Sequence, residues 1–383
     1  VSAGVARPRL ARELHPGAWW AWAIGLAAAA TFTTNPLLLL LLGAVVCAVV
    51  MACRGDGVWA RAFRFYLALG VVIVITRTLF RVVLGSGTAG HVLLDLPEIP
   101  LPDWAAGISL LGPVTREALL AGLYDGMRLG MIVVAVGAAN ALANPKRLMK
   151  SLPPALYEIG TALVVAVTVL PQLADSAKRV RAAQELRGGP PGRIRGLRRF
   201  LVPVLEDAFE RSLALAAGMD TRGYGRPGAA PPAQRRLTGA VMLTGLLGVC
   251  AGVYGFLDGT SPWWLGMPMM GAGIAVALAG FVLAGRRVVR SRYRADRWRP
   301  PEVLIALSGV ASGAVAWWVA QEQVQVANPP VAEMPQVSLA ALVACLLGLV
   351  PLLAAPPPLT RESRELESVV ESDEDVAEER LRS

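Results

Sequence analysis

Two arginine-glycine pairs, Arg187-Gly188 and Arg222-Gly223, stand 35 residues apart, each closing a run of helically spaced apolar residues. Glycine after a last helical turn can take the left-handed conformation that caps the helix, and its missing side chain lets another surface approach the backbone. An arginine there is favoured by the negative pole of the helix and projects five donors suited to carboxylates or backbone carbonyls. This is the chemistry of recognition. Two such ends suit a dimeric partner with two equivalent grooves, and it is the repetition that sets them apart from a commonplace helix end.

Covalent chemistry has little to work with. The two histidines are His15, beside a proline, and His91, in a glycine-rich loop, too few for a histidine metal centre or a serine-histidine-aspartate triad. Cys47, Cys53, Cys250 and Cys345 lie in or beside apolar runs without a CxxC pair and read as buried packing residues. No GxxxxGK[ST] loop occurs, and the GxGxxG match at Gly85 to Gly90 follows an apolar run with no strand before it, so it reads as a flexible loop. A non-catalytic chain with no cofactor or metal of its own is the expectation.

The elements that must position the two arginines are amphipathic helices. In the first, Leu173, Ala177, Val180 and Ala183 hold one apolar register, and the run reaches Arg187 before Gly188-Gly189-Pro190-Pro191 ends it. A basic connector with Arg193, Arg195, Arg198 and Arg199 leads to the second, where Leu205, Phe209, Leu213, Ala216 and Met219 share a face that ends at Arg222-Gly223-Tyr224.

Their setting is a membrane. Of 383 residues 55% are hydrophobic and only 17% charged, which excludes an ordinary soluble domain. Apolar runs long enough to cross about 30 Å of hydrocarbon fall near 18–34, 36–53, 63–84, 117–143, 240–257, 264–285, 302–320 and 337–355. The first of these reads as one arm of a helical hairpin and not as a cleavable signal. Lys and Arg concentrate in the N-terminal arm, around residues 54–64, from Lys146 to Arg236 and from Arg286 to Arg299, whereas the loops 85–116, 258–263 and 321–336 are poor in them. Alternation from an inside start puts every basic segment in the cytoplasm, provided that a ninth apolar run, 155–171, does not cross. A polar stripe of Glu158, Thr161, Thr168, Gln172, Asp175 and Arg179 suits a helix lying on the membrane surface or packed on partners.

The expected fold is an all-α polytopic membrane protein: four spans over 1–143, a cytoplasmic block of amphipathic coupling helices over 144–237, four spans over 238–357, and an acidic cytoplasmic tail over 358–383. The residues from 144 to 236 hold 16 cations against seven acids, marking the inner face.

Several stretches make the chain similar to a known family. Val169-Leu170-Pro171-Gln172-Leu173 through Ala183-Gln184-Glu185-Leu186-Arg187-Gly188, and Leu201-Val202-Pro203-Val204-Leu205 through Ala217-Gly218-Met219-Asp220-Thr221-Arg222-Gly223-Tyr224, resemble the CbiQ-like transmembrane T component of energy-coupling factor transporters. His15-Pro16, Thr34-Asn35-Pro36 and Asn144-Pro145 resemble its N-terminal half, so that the likeness covers about residues 15–257. It implies two cytoplasmic ABC ATPase subunits, which bind the ATP, each receiving one arginine-bearing helix end. It also implies a separate substrate-capture membrane subunit and import of a vitamin or of a transition-metal ion such as cobalt or nickel. The residues implied in coupling are Ala183, Arg187, Gly188, Ala217, Arg222, Gly223 and Tyr224. Leu186 and Thr221 stand where the family usually has alanine, and the family needs only about one span after the second motif, so residues 258–383 are a departure. No nucleic acid is implied; the setting is the lipid bilayer of the plasma membrane, with both termini cytoplasmic.

Arg77 and Arg81 fall one turn apart in the third span, and Arg128 and Asp125 lie in the fourth; pairing with Glu117 or Asp125, or snorkelling, accounts for them. Two other readings remain at this point: a self-sufficient secondary carrier, against which stand the absent inverted repeat and the scarcity of embedded acids, and a membrane anchor docking through the acidic tail.

Overall fold

Helix starts in this chain are written in prolines and short polar caps. In the computed structural model, His15 Nδ1 accepts from Gly17 N–H ahead of Pro16, Asn35 Oδ1 from Leu37 N–H ahead of Pro36, and Thr115 and Ser338 cap two further helices. The structure describes residues 12–56, 60, 62–83, 90–97, 99–100, 109–151, 156–186, 193–223, 232–258, 260–286, 298–331 and 333–358. The elements in order are α1 (Pro16–Thr31), α2 (Pro36–Cys53), α3 (Phe63–Val83), β1 (Val92–Asp95), β2 (Ile99–Pro100), β3 (Ser109–Leu110), β4 (Pro113–Thr115), α4 (Arg116–Leu142), α5 (Pro145–Lys150), α6 (Tyr157–Leu186) and α7 (Arg193–Thr221). There follow α8 (Pro232–Leu257), α9 (Met267–Arg286), α10 (Pro300–Glu322), α11 (Val324–Ala327), α12 (Leu339–Leu346) and α13 (Val350–Ala354).

The chain forms two units, Val1–Leu148 with Asp296–Ser383, and Met149–Ala295. In the first, α1 packs on α4 and α10, α2 on α4, and α3 on α4. Trp22, Leu26, Leu42, Val46, Val49, Ala135, Ala138 and Ile305 are buried in its core. Helices α1 and α10 run parallel: Arg12 makes a bidentate ion pair with buried Glu302 at one end (2.8 and 3.1 Å), and Thr33 Oγ1 donates to Ala327 O (2.7 Å) at the other. Between these ends Gly25 and Gly309 bring the two backbones into direct contact. Asn35 Nδ2 donates to Val326 O and Gln336 O, tying the α1–α2 turn to the segment after α10.

In the second unit α8 and α9 form a hairpin around Gly245, Gly248, Gly252 and Gly273, and α6 packs on α7. Most of the large side chains on the outside of α8 and α9 are apolar, among them Leu243, Leu247, Tyr254, Ile274 and Leu278. Such a surface belongs in lipid.

The all-α polytopic membrane fold is as expected, and several details differ. Among the described residues seven helices are long and apolar enough to cross a membrane, α2, α3, α4, α6, α8, α9 and α10. The first expected span is α1, 16 residues or about 24 Å, because the Thr33-Thr34-Asn35 turn ends it early. The last, 337–355, is not one helix: α12 passes through a 3₁₀ turn, Leu347–Leu349, into α13. There the Gly348 carbonyl is drawn into a 3.1 Å bond from Trp22 Nε1, and Pro351 has no N–H to continue the ladder. The stretch 155–171 and the first amphipathic run are one helix, α6, uninterrupted at Pro171, just as α7 is at Pro203. Four short strands in two antiparallel pairs, β1 with β4 and β2 with β3, elaborate the loop between α3 and α4. Of the cysteines, Cys345 is buried, Cys47 and Cys53 are half-buried, and Cys250 is exposed on α8. The N-terminal arm to residue 11, the Gly85 to Ala89 part of the GxGxxG match and the tail from residue 359 lie outside the described residues.

Candidate functional site

Helix α7 ends as its residue types dictate. Arg222 N–H bonds to Met219 O (3.1 Å) and Gly223 N–H to Asp220 O (2.9 Å), tightening the last turn, and Gly223 has φ +76°, the left-handed region. The Thr221 hydroxyl donates to Gly218 O (3.0 Å), consuming a helix-end carbonyl without projecting outward. Ala217, Arg222 and Gly223 are exposed, and among the described residues a Cβ placed on Gly218 or Gly223 would meet nothing within 4 Å. Among the described residues Arg222 makes no ion pair, so its guanidinium is free to bind outside the chain. On α6, Ala183 is exposed and Leu186, the last helical residue, is 89% exposed. Arg187, Gly188 and Tyr224 lie outside the described residues, so the first arginine-glycine end has no geometry here.

The two helices meet away from these ends. On α6 the half-buried Leu173, Ala177 and Val180 flank Ser176, which is buried; on α7 Val204, Asp207, Ala208 and Arg211 are half-buried. Alanine and serine at the crossing let the backbones come close. Asp207 pins it, accepting from Arg211 Nε at 2.9 Å on its own helix and facing Arg179 of α6 at 3.7 Å. Hydrogen bonding from the Ser176 hydroxyl, then from Arg211, holds the Asp207 carboxyl below its ordinary pKa. Ala183 falls outside this face, so the apolar register that identified the helix is only partly the packing register.

The apolar face that defines α7 is turned outward. Leu205, Phe209 and Leu213 are 50%, 67% and 72% exposed. A stripe of this size on a charged helix is a surface for lipid or protein. Beyond the crossing α6 runs ten more residues, about 15 Å, and α7 runs fifteen to Arg222, about 22 Å. Only six residues join Leu186 to Arg193. The chain therefore turns back after α6, and α7 leaves the crossing in the direction opposite to its start.

A depressed carboxylate pKa stabilises the folded contact above the ordinary value, near pH 4, and that contribution is lost as pH falls through the depressed value. Spin labels at Lys178→Cys and Ser212→Cys, in a chain whose native cysteines are replaced, should report a narrow distance distribution at pH 7 that broadens only below about pH 4. With Asp207→Ala the distribution should be broad at both pH values.

Of the charges within spans, Asp125 pairs with two of the three expected cations, Arg128 at 3.4 Å and Arg81 at 4.0 Å. Glu117 pairs with neither arginine; its carboxylate accepts the His91 N–H at 2.9 Å and ties the β1 end to α4. Arg77 is exposed and makes no ion pair among the described residues.

The family model described as CbiQ, cobalt transport protein, matches residues 8–231, more than half of the chain and the whole of α1 to α7. The chain belongs to the CbiQ family. It is thereby a multi-pass membrane protein of a transporter family, and α8 to α13 lie beyond the matched region. Among curated relatives, the energy-coupling factor transporter transmembrane protein EcfT of Staphylococcus aureus (strain 04-02981) is 28% identical over 153 residues, 35% of this chain and 54% of that protein. The protein of the same name from Streptococcus equi subsp. equi (strain 4047) is 28% identical over 159 residues, 40% of this chain and 57% of that protein. That from Thermanaerovibrio acidaminovorans is 28% identical over 187 residues, covering 42% and 69%. The chain thus spans about half the length of the first two relatives.

Proposed function

We propose that this CbiQ-family chain is the transmembrane T component of an energy-coupling factor importer, a non-catalytic subunit that couples ATP hydrolysis in two cytoplasmic ABC ATPases to uptake through a separate substrate-capture membrane subunit. The observation that carries the reading is the end of α7, where Arg222, exposed and without an ion pair among the described residues, precedes a left-handed Gly223. That end offers a fork of donors and a bare backbone to a groove on a partner. Arg187 and Gly188 supply the second plug. The relatives' names support the same assembly.

The parallel packing of α1 and α10 supports the topology. With α2, α3, α4, α8 and α9 crossing between them and neither α6 nor α7 doing so, α1 and α10 point the same way, as they do, although α6 is long and apolar enough to cross. Helices α6 and α7 then lie at the cytoplasmic face among its cations, and both termini are cytoplasmic in the plasma membrane. Closure of the ATPase pair on ATP moves the two helix ends, and the arms beyond the Ser176–Asp207 crossing carry that motion to the exposed face of Leu205, Phe209 and Leu213, where the capture subunit docks. ATP is bound by the partners alone, and the cargo is a vitamin or a transition-metal ion.

Purification of the tagged chain from native membranes tests this. Two ABC ATPase subunits should accompany the wild type and be largely lost with Arg187→Ala, Arg222→Ala; no ATPase with either chain would refute the reading.

A further inference from the structure

The groove between α3 and α4 carries more positive charge than the fold uses. Among the described residues Arg77, Arg81 and Arg128 have one acid close by, Asp125, while Glu117 in the first turn of α4 is turned to the His91 N–H, on helices otherwise apolar enough to span a membrane. The register of the pair follows from its glycines: a Cβ on Gly126 would meet Val74 Cα at 2.9 Å, and one on Gly130 the Gly70 carbonyl oxygen at 3.0 Å. Asp125 and Arg128 therefore stand level with the middle of α3, where they neutralise each other at 3.4 Å. The surplus lies higher. Arg81 is two residues from the end of α3 and Arg77 six, about 3 and 9 Å along the axis. Arg81 has only a 4.0 Å share of Asp125 and its side chain is 41% exposed; Arg77 is exposed and makes no ion pair among the described residues.

Both stems are held in place. Gly122 leaves the hollow occupied by the Arg81 stem, whose Cγ lies 2.9 Å from where a Cβ would be, and Gly126 does the same for Arg77, whose Cβ lies at 3.3 Å. The two side chains thus start from a fixed base one turn apart, about 3 and 9 Å inside the end of α3, from where an arginine can snorkel to the bilayer's phosphate layer.

We propose that this groove binds the phosphate of a membrane phospholipid, gripped by Arg77 and Arg81 in the leaflet next to the α3–α4 loop. Guanidinium forks match phosphate oxygens in pairs, and a site with excess positive charge selects a lipid of net negative charge over a zwitterionic one. Lipid phosphate is favoured over a carboxylate on a neighbouring membrane helix because both side chains are exposed within snorkelling reach of the interface, where anionic headgroups gather. The proposal does not depend on the T-component reading.

Native mass spectrometry of the purified full-length chain, with added phosphatidylglycerol or phosphatidylcholine, tests it. The wild type should retain phosphatidylglycerol about tenfold better than phosphatidylcholine, and Arg77→Gln should abolish the preference. Arg64→Gln, at the opposite end of α3, should keep it. Arg77→Lys with Arg81→Lys, which keeps charge but removes the forks, should weaken it. Because Arg77 makes no ion pair with any described residue, its single variant carries the test if changes at Arg81 disturb folding. Equal retention of both lipids by the wild type, or an unchanged preference in Arg77→Gln, would overturn the proposal. Loss of a co-purifying membrane protein from Arg77→Gln, with lipid preference intact, would overturn it in favour of a partner's carboxylate.

Discussion

Replacing Gly25 with leucine should prevent α1 and α10 from packing and cost about 3 kcal/mol or more, among the largest single-site losses in the first unit. A Cβ on Gly25 would overlap the Gly309 carbonyl, and a Cβ on Gly309 would overlap the Trp22 backbone, so neither helix can move without the other. The atoms in the way are backbone, which has no rotamer into which to retreat. Polar ties join the same pair at its ends: the Arg12–Glu302 pair, Thr33 to Ala327 and Asn35 to the segment after α10. Glu302 is 1% exposed, so helix separation also strands the ion pair. Thermal unfolding in detergent should show the loss for Gly25→Leu and a smaller one for Gly25→Ala. Gly43→Ala, whose new methyl would meet only Met131 Sδ at 3.8 Å, should be close to neutral.

A second large effect is expected at Gly223. With φ at +76° the position costs an ordinary residue about 1–2 kcal/mol and a β-branched residue more, so Gly223→Val should unwind the end of α7 and redirect Arg222. ATPase recovery with the purified chain should then fall as far as with Arg222→Ala, although the arginine is still present. Asparagine tolerates the left-handed region, so Gly223→Asn should recover much of the binding if conformation is what matters. Equal failure of valine and asparagine would mean that the bare backbone itself is contacted. Because no described residue lies within 4 Å of a side chain added at this glycine, global stability should change little in either variant.

How far the residues foretold the structure varied with the kind of information each carried. Asn35-Pro36 set the start of α2, and the arginine-glycine end of α7 was legible because glycine at a helix terminus has few other uses. The polar stripe from Glu158 to Arg179 runs through Pro171, and proline in this long apolar helix costs one hydrogen bond without breaking it. Apolar length misled at 337–355, where the helix is interrupted beside a carbonyl bonded by Trp22, 326 residues away. Periodicity names a helix face but not its neighbour. Leu205, Phe209 and Leu213 formed the stripe that identified α7, yet the contact with α6 uses Val204, Asp207, Ala208 and Arg211, and the stripe faces outward. The partner of α1 was equally hidden. Gly25 and Gly309 are unremarkable glycines in two apolar runs, and only the fold brings α10, from beyond the family's match, back onto the first helix.

The most direct test of the coupling reading is the stoichiometry of the intact complex, read by native mass spectrometry of the chain released from native membranes. Two ATPase subunits per chain are expected for the wild type, one for Arg222→Ala alone, and none for Arg222→Ala with Arg187→Ala. A chain that carries no ATPase in the wild type, or two in all three samples, would contradict the assignment of the two arginine-bearing helix ends as the points where the ATPases attach.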